Sequence, residues 1–495
     1  MPKFASLIRW IGIATLLLLL WTLYNWPALV HVWWLFDDLV TVPLYPMSHT
    51  LIRSVTQGRP IGIFLFLLNY ILMNWNLTAA FFILHILQAI LHVTAAMLIG
   101  KILIHFSRTR AAFIAVLPFL LWPFGNEATL WIAATLYPLA ACLSLGGILL
   151  LIDNKKVSFR RRLAGMFLIS IAPFCVQPAS LAGLSVYCIA LALSILDRER
   201  LSILLRACPY ILIAYVLGIA GNAVLPFLLH DSHTLGTDPA TALLYQSLPQ
   251  IVAGLKYLLT HPAFYPQWLV KMHIATLALG IISFVIFPAA RTIREYTINT
   301  SIVLFLVFSF LFILRLPTIL LGLFWFSGRT MYFDPLLLTF ALCLVLRSRM
   351  APTFGAIIVS FIVLILAIGY FPISITYARE HVVVFQRDRE TLKGLEEIAG
   401  RQQIGQLVVA YDPASYPVFN PYSLRYPGFG EVNQSVFTTG WYLPYFLALF
   451  SDTLQLQQDP AEQAPCLAVC AQDINSQRRS VHVLEKPKPA VCLCP

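Results

Sequence analysis

Long apolar runs, each close to the length of a membrane-crossing helix, recur along this chain and constrain its fold more than any other feature. A helix needs about 20 apolar residues to cross a bilayer. Hydrophobic residues make up 59% of the 495 residues and charged residues only 11%, whereas soluble domains carry about 25% charged residues. The sequence therefore predicts a mainly α, polytopic transmembrane helical bundle, and it excludes soluble, disordered and collagen-like chains.

We predict about eleven spans from these runs. The first extends from Leu7 to Trp26, and no small-residue cleavage pattern follows it, so we expect it to stay in place as a span. The other predicted spans are 77–104, 111–124, 128–152, 163–176, 179–196, 207–229, 271–290, 299–314, 331–346 and 353–371. Between the first two spans, residues 28–76 form a predicted outside loop, in which Ile61–Met73 is short enough to be an interfacial helix.

Basic residues predict the orientation of the spans. The net charge is +11, but Lys and Arg cluster in short turns between apolar runs, such as 155–162, 198–206 and 347–349. Such turns stay in the cytoplasm, and no basic stripe of the kind that binds nucleic acid is present in the sequence. We therefore predict a multi-pass protein of a bacterial inner (plasma) membrane, with a cytoplasmic N-terminus and a periplasmic C-terminal part.

The last part of the chain, residues 372–495, is more polar than the rest. Arg387–Ala399 has the pattern of an amphipathic helix, and Gln406–Tyr411 that of a strand. The aromatic run Trp441–Phe450 is too short to span and suits an interfacial contact or a lid. We predict a transmembrane domain over 1–371 and a small α/β extracytoplasmic domain over 372–495.

The nine cysteines fall into two groups. Five lie in apolar runs, where we expect small buried side chains. The other four, in the polar tail, can form disulfides in three different pairings if the tail faces an oxidising compartment. These four are Cys466, Cys470, Cys492 and Cys494.

Two adjacent carboxylates, Asp37 and Asp38, follow the first predicted span. An ionised Asp within hydrogen-bond reach of an acceptor hydroxyl can serve as a general base. The alternative is a helix cap beside a solvated charge.

Three arginines lie at predicted outer ends of spans: Arg59, Arg315 and Arg329. A guanidinium makes paired hydrogen bonds to phosphate oxygens, so these side chains are candidates for a lipid phosphate. Arg59 could instead be a snorkelling anchor. Arg315 and Arg329 could instead pair with Asp334 or with the Asp37/Asp38 pair.

Glu127 is the only acid in the apolar region from Leu77 to Ile152, and an ionisable residue in such a region is a functional candidate. It could equally cap a helix start. Several histidines lie on the same predicted side without the spacing of metal ligands, so no metal site is assigned. They are His31, His49, His261 and His273.

The order of these motifs resembles the GT-C glycosyltransferases. The acidic pair comes first, then Gly58-Arg59-Pro60, then the turn Asn126–Trp131, and then Ser327–Tyr332 before a late span. Within that superfamily the pattern is most similar to bacterial O-antigen-modifying, polyprenyl-phosphate-sugar-dependent glucosyltransferases. The similarity covers about residues 5–375, and it rests on the order and sidedness of short motifs rather than on one of them.

The resemblance implies a glycosyltransferase that uses a polyprenyl-phosphate sugar donor and a glycan or lipid acceptor. Asp37 or Asp38 would be the general base, and Glu127 would orient the acceptor or assist a divalent metal, which some relatives use. Arg59 and Arg329 would bind the donor phosphate. Relatives often carry an acid near the outer end of the fifth span, where this chain has Cys175–Pro178. No Gly-rich nucleotide-binding loop is present in the sequence, as expected for a donor delivered in the membrane.

Three alternatives remain open on the sequence, of which a non-catalytic scaffold would require neither the Asp37/Asp38 pair nor the outside arginines. A transporter or flippase for lipid-linked sugars would place polar residues near the bilayer midplane. An O-antigen ligase or polymerase would hold its essential groups in a long middle outside loop, and the segment from His230 to Lys271 could be such a loop.

Overall fold

The structure is a computed structural model, and it describes residues 2–31, 60–107, 109–123, 130, 132–152, 157–195, 197–228, 249, 252, 266–286, 293–320, 332–347, 352–402, 406–409, 446–447, 450–451, 454–456, 480–484 and 490–494. The chain divides into two compact units. Unit 1 comprises Met1–Trp26, Leu51–Leu67 and Ile83–Thr376, and unit 2 comprises Pro27–Thr50, Leu68–Phe82 and Tyr377–Pro495.

The protein is mainly helical. The helices are α1 (Pro2–Leu29), α2 (Gly62–Trp75), α3 (Leu77–Ser107), α4 (Ala111–Ile114), α5 (Leu117–Leu121), α6 (Leu136–Ile152), α7 (Phe159–Ile171), α8 (Gln177–Ser180), α9 (Ala182–Ser194), α10 (Arg198–Leu228), α11 (Gln267–Ile286), α12 (Ile293–Leu320), α13 (Leu336–Arg347) and α14 (Pro352–Gln402). Two 3₁₀ helices, Ile132–Thr135 and Ala172–Phe174, adjoin α6 and α7.

Six helices in the described chain are long and apolar enough to cross a membrane, which fits a multi-pass membrane protein. The spanning segments are Ile8–Leu29, Leu77–Ser107, Arg198–Asn222, Gln267–Phe284, Asn299–Leu316 and Thr353–Arg401. Each overlaps one of the predicted spans. The other predicted spans coincide with shorter helices, so the predicted number of about eleven is not established by length and composition.

Prolines account for much of this shortening. The predicted span 111–124 is divided into α4 and α5, with Pro118 in the first turn of α5. The predicted span 163–176 ends as an α-helix at Ile171, because Pro173 lies in the first turn of the 3₁₀ helix that follows. Proline lacks an N–H and fits the first turn of a helix without the loss of a hydrogen bond. At these two positions the apolar run is therefore divided into consecutive short helices, whereas α14 continues past Pro372.

Helix α13 lies at the centre of unit 1. Every residue from Leu336 to Val345 is buried, and the helix packs against α11, α9, α4 and α5. The approach to α11 is very close at Gly280, where an added Cβ would lie 2.7 Å from the backbone oxygen of Ala341. Small residues at such crossings let helix backbones approach closely, which is the usual basis of packing within membranes.

The first half of α14 carries an exposed apolar stripe. Residues at alternating spacings of three and four lie on one face of a helix. The stripe consists of Phe354, Ile357, Phe361, Leu364, Ile368 and Phe371. A row of large apolar side chains over about 26 Å of helix length suits contact with lipid chains.

Unit 2 contains the second half of α14 and a small sheet. The buried face of α14 continues there through Tyr377, His381, Asp388, Leu392, Leu395 and Ala399. The predicted helix Arg387–Ala399 is therefore not a separate element but part of α14. At its far end the Ser451 hydroxyl donates to Glu396 over 2.6 Å, and Arg389 stacks on Phe450 with 4.4 Å from its guanidinium carbon to the ring centre.

The strands are β1 (Gln406–Val409), β2 (Gln455–Leu456), β3 (Ser480–Leu484) and β4 (Ala490–Cys494), in the order β2-β1-β4-β3. Strand β1 lies within the predicted strand 406–411 and pairs in parallel with both β2 and β4, while β3 and β4 are antiparallel. Of the four tail cysteines, Cys492 and Cys494 lie on β4, and the pairing of all four stays a prediction.

Candidate functional site

Of the predicted site residues, only Arg315 lies in the described part of the chain. Asp37, Asp38, Arg59, Glu127 and Arg329 fall outside the described residues, so their roles stay predictions. The described residues that flank two of these motifs nevertheless form a well-defined buried polar cluster in unit 1.

The cluster contains an ion pair between Arg315 and Asp334. The guanidinium Nη2 of Arg315, near the C-terminal end of α12, donates to a carboxylate oxygen of Asp334, in the turn before α13. Both residues are buried, with exposed fractions of 4% and 3%. Burying either charge alone would cost several kcal/mol, so the two groups stabilise each other in this position. The sequence leaves open whether Arg315 binds a phosphate or pairs with an acid such as Asp334. In the structure Arg315 pairs with Asp334.

Asp334 belongs to a buried turn, Tyr332–Pro335, that leads into α13. Backbone hydrogen bonds from Leu336, Leu337 and Leu338 to the carbonyls of residues 333–335 close this turn. Pro335 lies directly before α13 and lacks an N–H. The N–H groups at a helix start have no partner within the helix, so proline loses no hydrogen bond there. The turn thus fixes a phenol and a carboxylate two residues apart in the interior of the unit.

His92, in the middle of α3, contacts this turn. Its Nδ1 forms a hydrogen bond with the Tyr332 hydroxyl, and its Nε2 lies 3.2 Å from the backbone oxygen of Leu120. A carbonyl oxygen can only accept, so Nε2 carries a proton, and in the neutral ring Nδ1 accepts from the tyrosine. Phe119 also packs here. The centre of its ring lies 5.1 Å from the ring centre of His92 and 5.3 Å from that of Tyr332.

His92 is the last of three buried polar residues on one face of α3. His85, Gln88 and His92 are spaced i, i+3 and i+7 and are each at most 2% exposed. None of them was among the predicted site residues, because the long apolar run around them predicts only a span. The helical spacing of the three polar residues is the sequence signal that marks them, since polar groups inside a membrane face protein or water rather than lipid.

The contacts of His92 bring together two parts of the chain that lie beside predicted motifs. Leu120 precedes the segment that contains Glu127, and Tyr332 follows the segment that contains Arg329. Both residues hydrogen-bond to the same imidazole ring. The described ends of these two segments therefore meet at His92.

A second buried histidine and tyrosine pair lies elsewhere in unit 1. His273 Nε2, on α11, is 2.8 Å from the hydroxyl of Tyr370, on α14. Nearby on α1, the Tyr24 hydroxyl donates to the backbone oxygen of Ala367 over 2.6 Å. The sequence gives His273 no metal-ligand spacing. In the structure its side chain forms a hydrogen bond with Tyr370 and so connects α11 and α14.

The described residues contain no group of three or more His, Cys, Asp or Glu side chains suited to a metal ion. The chemistry that the cluster offers is proton donation and acceptance by His92 and Tyr332, together with a neutralised ion pair. A cluster of this kind can position neighbouring segments and orient polar groups, while any transfer of charge to a substrate needs additional groups.

Comparison of the chain with known protein families, with curated proteins and with solved structures finds no match in any of the three.

Proposed function

We propose that this protein is a membrane glycosyltransferase that moves a sugar from a polyprenyl-phosphate carrier to a glycan or lipid acceptor. The reaction takes place on the outer face of a bacterial inner membrane. The chain crosses the membrane about eleven times, with the shorter helices as additional crossings. Its N-terminus is cytoplasmic, and residues 372–495 form a small α/β domain in the periplasm.

The observation that supports this proposal is the meeting of two segments at His92. The resemblance to the GT-C enzymes places Glu127 and Arg329 at one reaction centre, although they are 202 residues apart in the sequence. Leu120 and Tyr332, the described neighbours of these motifs, share His92 as a hydrogen-bond partner. Arg329 precedes Tyr332 by only three residues in the sequence.

The residues take complementary roles in the proposed reaction. Asp37 or Asp38 accepts the proton of the acceptor hydroxyl, whose oxygen forms a new bond to the anomeric carbon of the sugar. The bond between that carbon and the carrier phosphate breaks, and the phosphate leaves with the bonding electrons. Arg59 and Arg329 stabilise the charge that develops on the phosphate, and Glu127 orients the acceptor.

Arg315 enters the proposal through Asp334. Its charge is already paired by that carboxylate, so we assign Arg315 mainly to positioning. Arg315 precedes residues 321–331, the segment that carries Arg329, and Asp334 and Tyr332 follow them. The ion pair therefore joins the two described ends of that segment.

The proposal is tested by transfer of radiolabelled sugar from a polyprenyl-phosphate donor in membranes from cells that express the chain. We expect Asp37→Asn or Asp38→Asn to abolish transfer while leaving the amount of inserted protein unchanged. Asp197→Asn, which changes an acid at the other predicted membrane face, is the matched control and should retain transfer. Normal transfer by both single variants at positions 37 and 38 would remove the general-base assignment.

The contribution of the cluster is tested by comparing its two similar tyrosines. Tyr332→Phe and Tyr370→Phe each remove a buried hydroxyl that contacts a histidine, so both should lower stability by about 1 to 3 kcal/mol. Only Tyr332→Phe should lower the rate of sugar transfer by more than the loss of folded protein explains. Equal effects of the two changes on the rate would show that His92 and Tyr332 are purely structural.

A transporter or flippase of lipid-linked sugars is the second candidate, because His85, Gln88 and His92 form a polar row inside a predicted span. Transporters place polar groups at this depth. In proteoliposomes a flippase would move a fluorescent polyprenyl-phosphate sugar between leaflets without an acceptor. Movement without any transfer chemistry would favour this function over the glycosyltransferase.

A further inference from the structure

Two cysteines of unit 2 lie on one face of its sheet, and the proposed reaction uses neither of them. Cys492 and Cys494 are two residues apart on β4, and alternate residues of a strand lie on the same face of a sheet. Their register partners on the neighbouring strand β3 are His482 and Ser480. This cysteine face, which carries Cys492 and Cys494, is therefore partly polar.

The opposite face of the sheet is apolar at every position of the described strands. It consists of Leu407, Val409, Leu456, Val481, Val483, Val491 and Leu493. A sheet with one apolar and one mixed face usually packs its apolar face on the protein core. We therefore expect the cysteine face to be the outer face of the sheet, where another segment of the chain can cross it.

A disulfide between Cys492 and Cys494 does not fit the geometry of β4. Cβ atoms two residues apart in a strand are separated by about 6.6 Å, which is twice the rise per residue. A disulfide requires a separation of about 3.5 to 4.5 Å between its Cβ atoms. Of the three pairings of the tail cysteines, β4 is thus incompatible with the one that contains this bond. In both of the others, Cys492 and Cys494 pair with Cys466 and Cys470.

The strand order determines where the connection between β2 and β3 begins and ends. These strands form the two edges of the sheet, and residues 457–479, which lie outside the described part of the chain, connect them. Because β1, β2 and β4 are parallel, β2 ends at the same end of the sheet as β4. Strand β3 begins at that end too, since Ser480 is the partner of Cys494. The connection therefore starts and finishes at the end of the sheet where Cys494 lies, on edges about 14 Å apart.

The other two cysteines of the tail lie in the middle of this connection. Cys466 follows Leu456, the last residue of β2, by ten residues, and Cys470 precedes Ser480, the first residue of β3, by ten residues. A chain that runs from one edge of the sheet to the other passes the central strands β1 and β4 about halfway along its path. We therefore expect Cys466 and Cys470 to pass β4 near its cysteines.

We propose that two disulfide bonds join Cys492 and Cys494 to Cys466 and Cys470 and so fix residues 457–479 across the cysteine face. The four thiols lose four electrons and four protons as the two bonds form. A disulfide-bearing thiol oxidant of the periplasm takes them up, and two of its disulfides are reduced to thiols. The inference rests on the proposed periplasmic position of residues 372–495, because the cytoplasm keeps thiols reduced. It does not depend on the sugar transfer.

The pairing is tested by digestion with trypsin under non-reducing conditions. Cells that express the full chain are first treated with N-ethylmaleimide, which blocks free thiols, and the protein is then purified in detergent. Trypsin cleaves after Arg425, Arg478 and Arg479. It does not cleave within residues 480–495, because both lysines there precede proline. The peptide 426–478 therefore holds the first two tail cysteines and the peptide 480–495 the last two.

We expect the mass spectrum to show these two peptides joined and free of maleimide, and dithiothreitol to separate them. The double variant Cys492→Ser with Cys494→Ser should give no joined peptides. Cys175→Ser with Cys343→Ser, which changes two buried cysteines of unit 1, is the matched control and should leave the joined peptides unchanged. The digest of the unchanged chain needs no variant, so it decides the pairing even if the double variant does not fold.

Two results would overturn the pairing itself. Separate peptides, each with an internal disulfide, would show that Cys492 bonds Cys494 and that β4 does not hold them as described. Joined peptides that come from a dimer band on a non-reducing gel would place the bonds between two copies of the chain.

Maleimide on all four tail cysteines would overturn the disulfides in the cell, and a second step separates the two possible reasons. The purified, untreated chain is oxidised with oxidised glutathione and digested in the same way. If the joined peptides then form, the strand geometry holds and the periplasmic position of residues 372–495 is wrong. If they do not form, residues 457–479 do not pass the cysteines of β4.

Discussion

The buried ion pair of Arg315 and Asp334 is the residue-scale feature with the strongest energetic consequence. Removing one partner of a buried pair leaves an uncompensated charge in the interior, which costs about 3 to 5 kcal/mol. We expect Arg315→Ala and Asp334→Ala each to lower the free energy of unfolding by this amount, measured by equilibrium unfolding in mixed detergent. The double variant should lose less than the sum of the two, because no unpaired charge remains.

An exposed ion pair on α14 provides the matched control for this comparison of two single variants with their double variant. Arg401 Nη2 and Glu397 are 3.9 Å apart and are largely exposed, at 80% and 72% of their side chains. Surface pairs of this kind contribute little, so Arg401→Ala should not change stability measurably. A strictly additive cycle at Arg315 and Asp334 would contradict the interpretation that each compensates the buried charge of the other.

The sequence predicts residues of this kind only in part. Arg315 stands out because it is a charge at the end of an apolar run, and Asp334 was among its possible partners. The row of His85, Gln88 and His92 was not predicted, because hydropathy averaged over a span conceals three polar residues. Which tyrosine or carbonyl such a histidine contacts depends on packing between segments far apart in the sequence, such as 120 and 332, and no local pattern encodes that contact.

At the scale of elements, apolar runs predict where helices lie better than where they end. The runs beginning at Leu77 and at 299 correspond to α3 and α12. By contrast, prolines divide other runs into pieces shorter than a bilayer is thick. The final helix shows the opposite effect, since α14 continues past Pro372 as one helix of 51 residues. A proline inside a helix can be accommodated when neighbouring groups satisfy the freed backbone carbonyl.

The crossing of α11 and α13 is tested by adding a single methyl group. At Gly280 an added Cβ would meet the backbone oxygen and the Cα of Ala341 at 2.7 and 2.8 Å, and neither atom can move independently. We expect Gly280→Ala to destabilise the protein by about 1 to 3 kcal/mol, because overpacking forces the helices apart. The measurement is the unfolding free energy in mixed detergent.

Gly146 on α6 is the control for this change, since nothing lies within 4 Å of its added Cβ. Alanine is the better helix former by about 1 kcal/mol, so Gly146→Ala should be neutral or stabilising. A Gly280→Ala variant as stable as the Gly146→Ala variant would mean that the helices cross less closely than described.

For the whole molecule, the low content of charged residues has a direct structural counterpart. The apolar row from Phe354 to Phe371 on α14 is exposed. A soluble protein would bury such a row, because apolar surface in water is unfavourable, and contact with lipid chains removes that cost. Beyond Phe371 the exposed residues of the same helix include Arg379, Arg387 and Glu390. We therefore expect the hydrocarbon region to end near the point where the exposed residues of this helix change from apolar to charged.

The proposed orientation of the molecule predicts which residues a membrane-impermeant thiol reagent reaches. Glu390→Cys, on the charged half of α14, should be labelled in spheroplasts whose membrane is intact. Arg198→Cys, at the start of α10 in a predicted cytoplasmic turn, should be labelled only after the membrane is permeabilised. Labelling of the unchanged chain gives the background from its own nine cysteines.

The two positions make this a test of the reaction site as well as of topology. Positive residues decide orientation through the short turns they occupy. By that rule we predict that the turn before α10 is cytoplasmic and that the segment that carries Asp37 is outside. If Arg198→Cys is labelled in intact spheroplasts and Glu390→Cys is not, the chain lies the other way around. The proposed general base would then face the cytoplasm, and a carrier lipid that presents its sugar in the periplasm would be out of its reach.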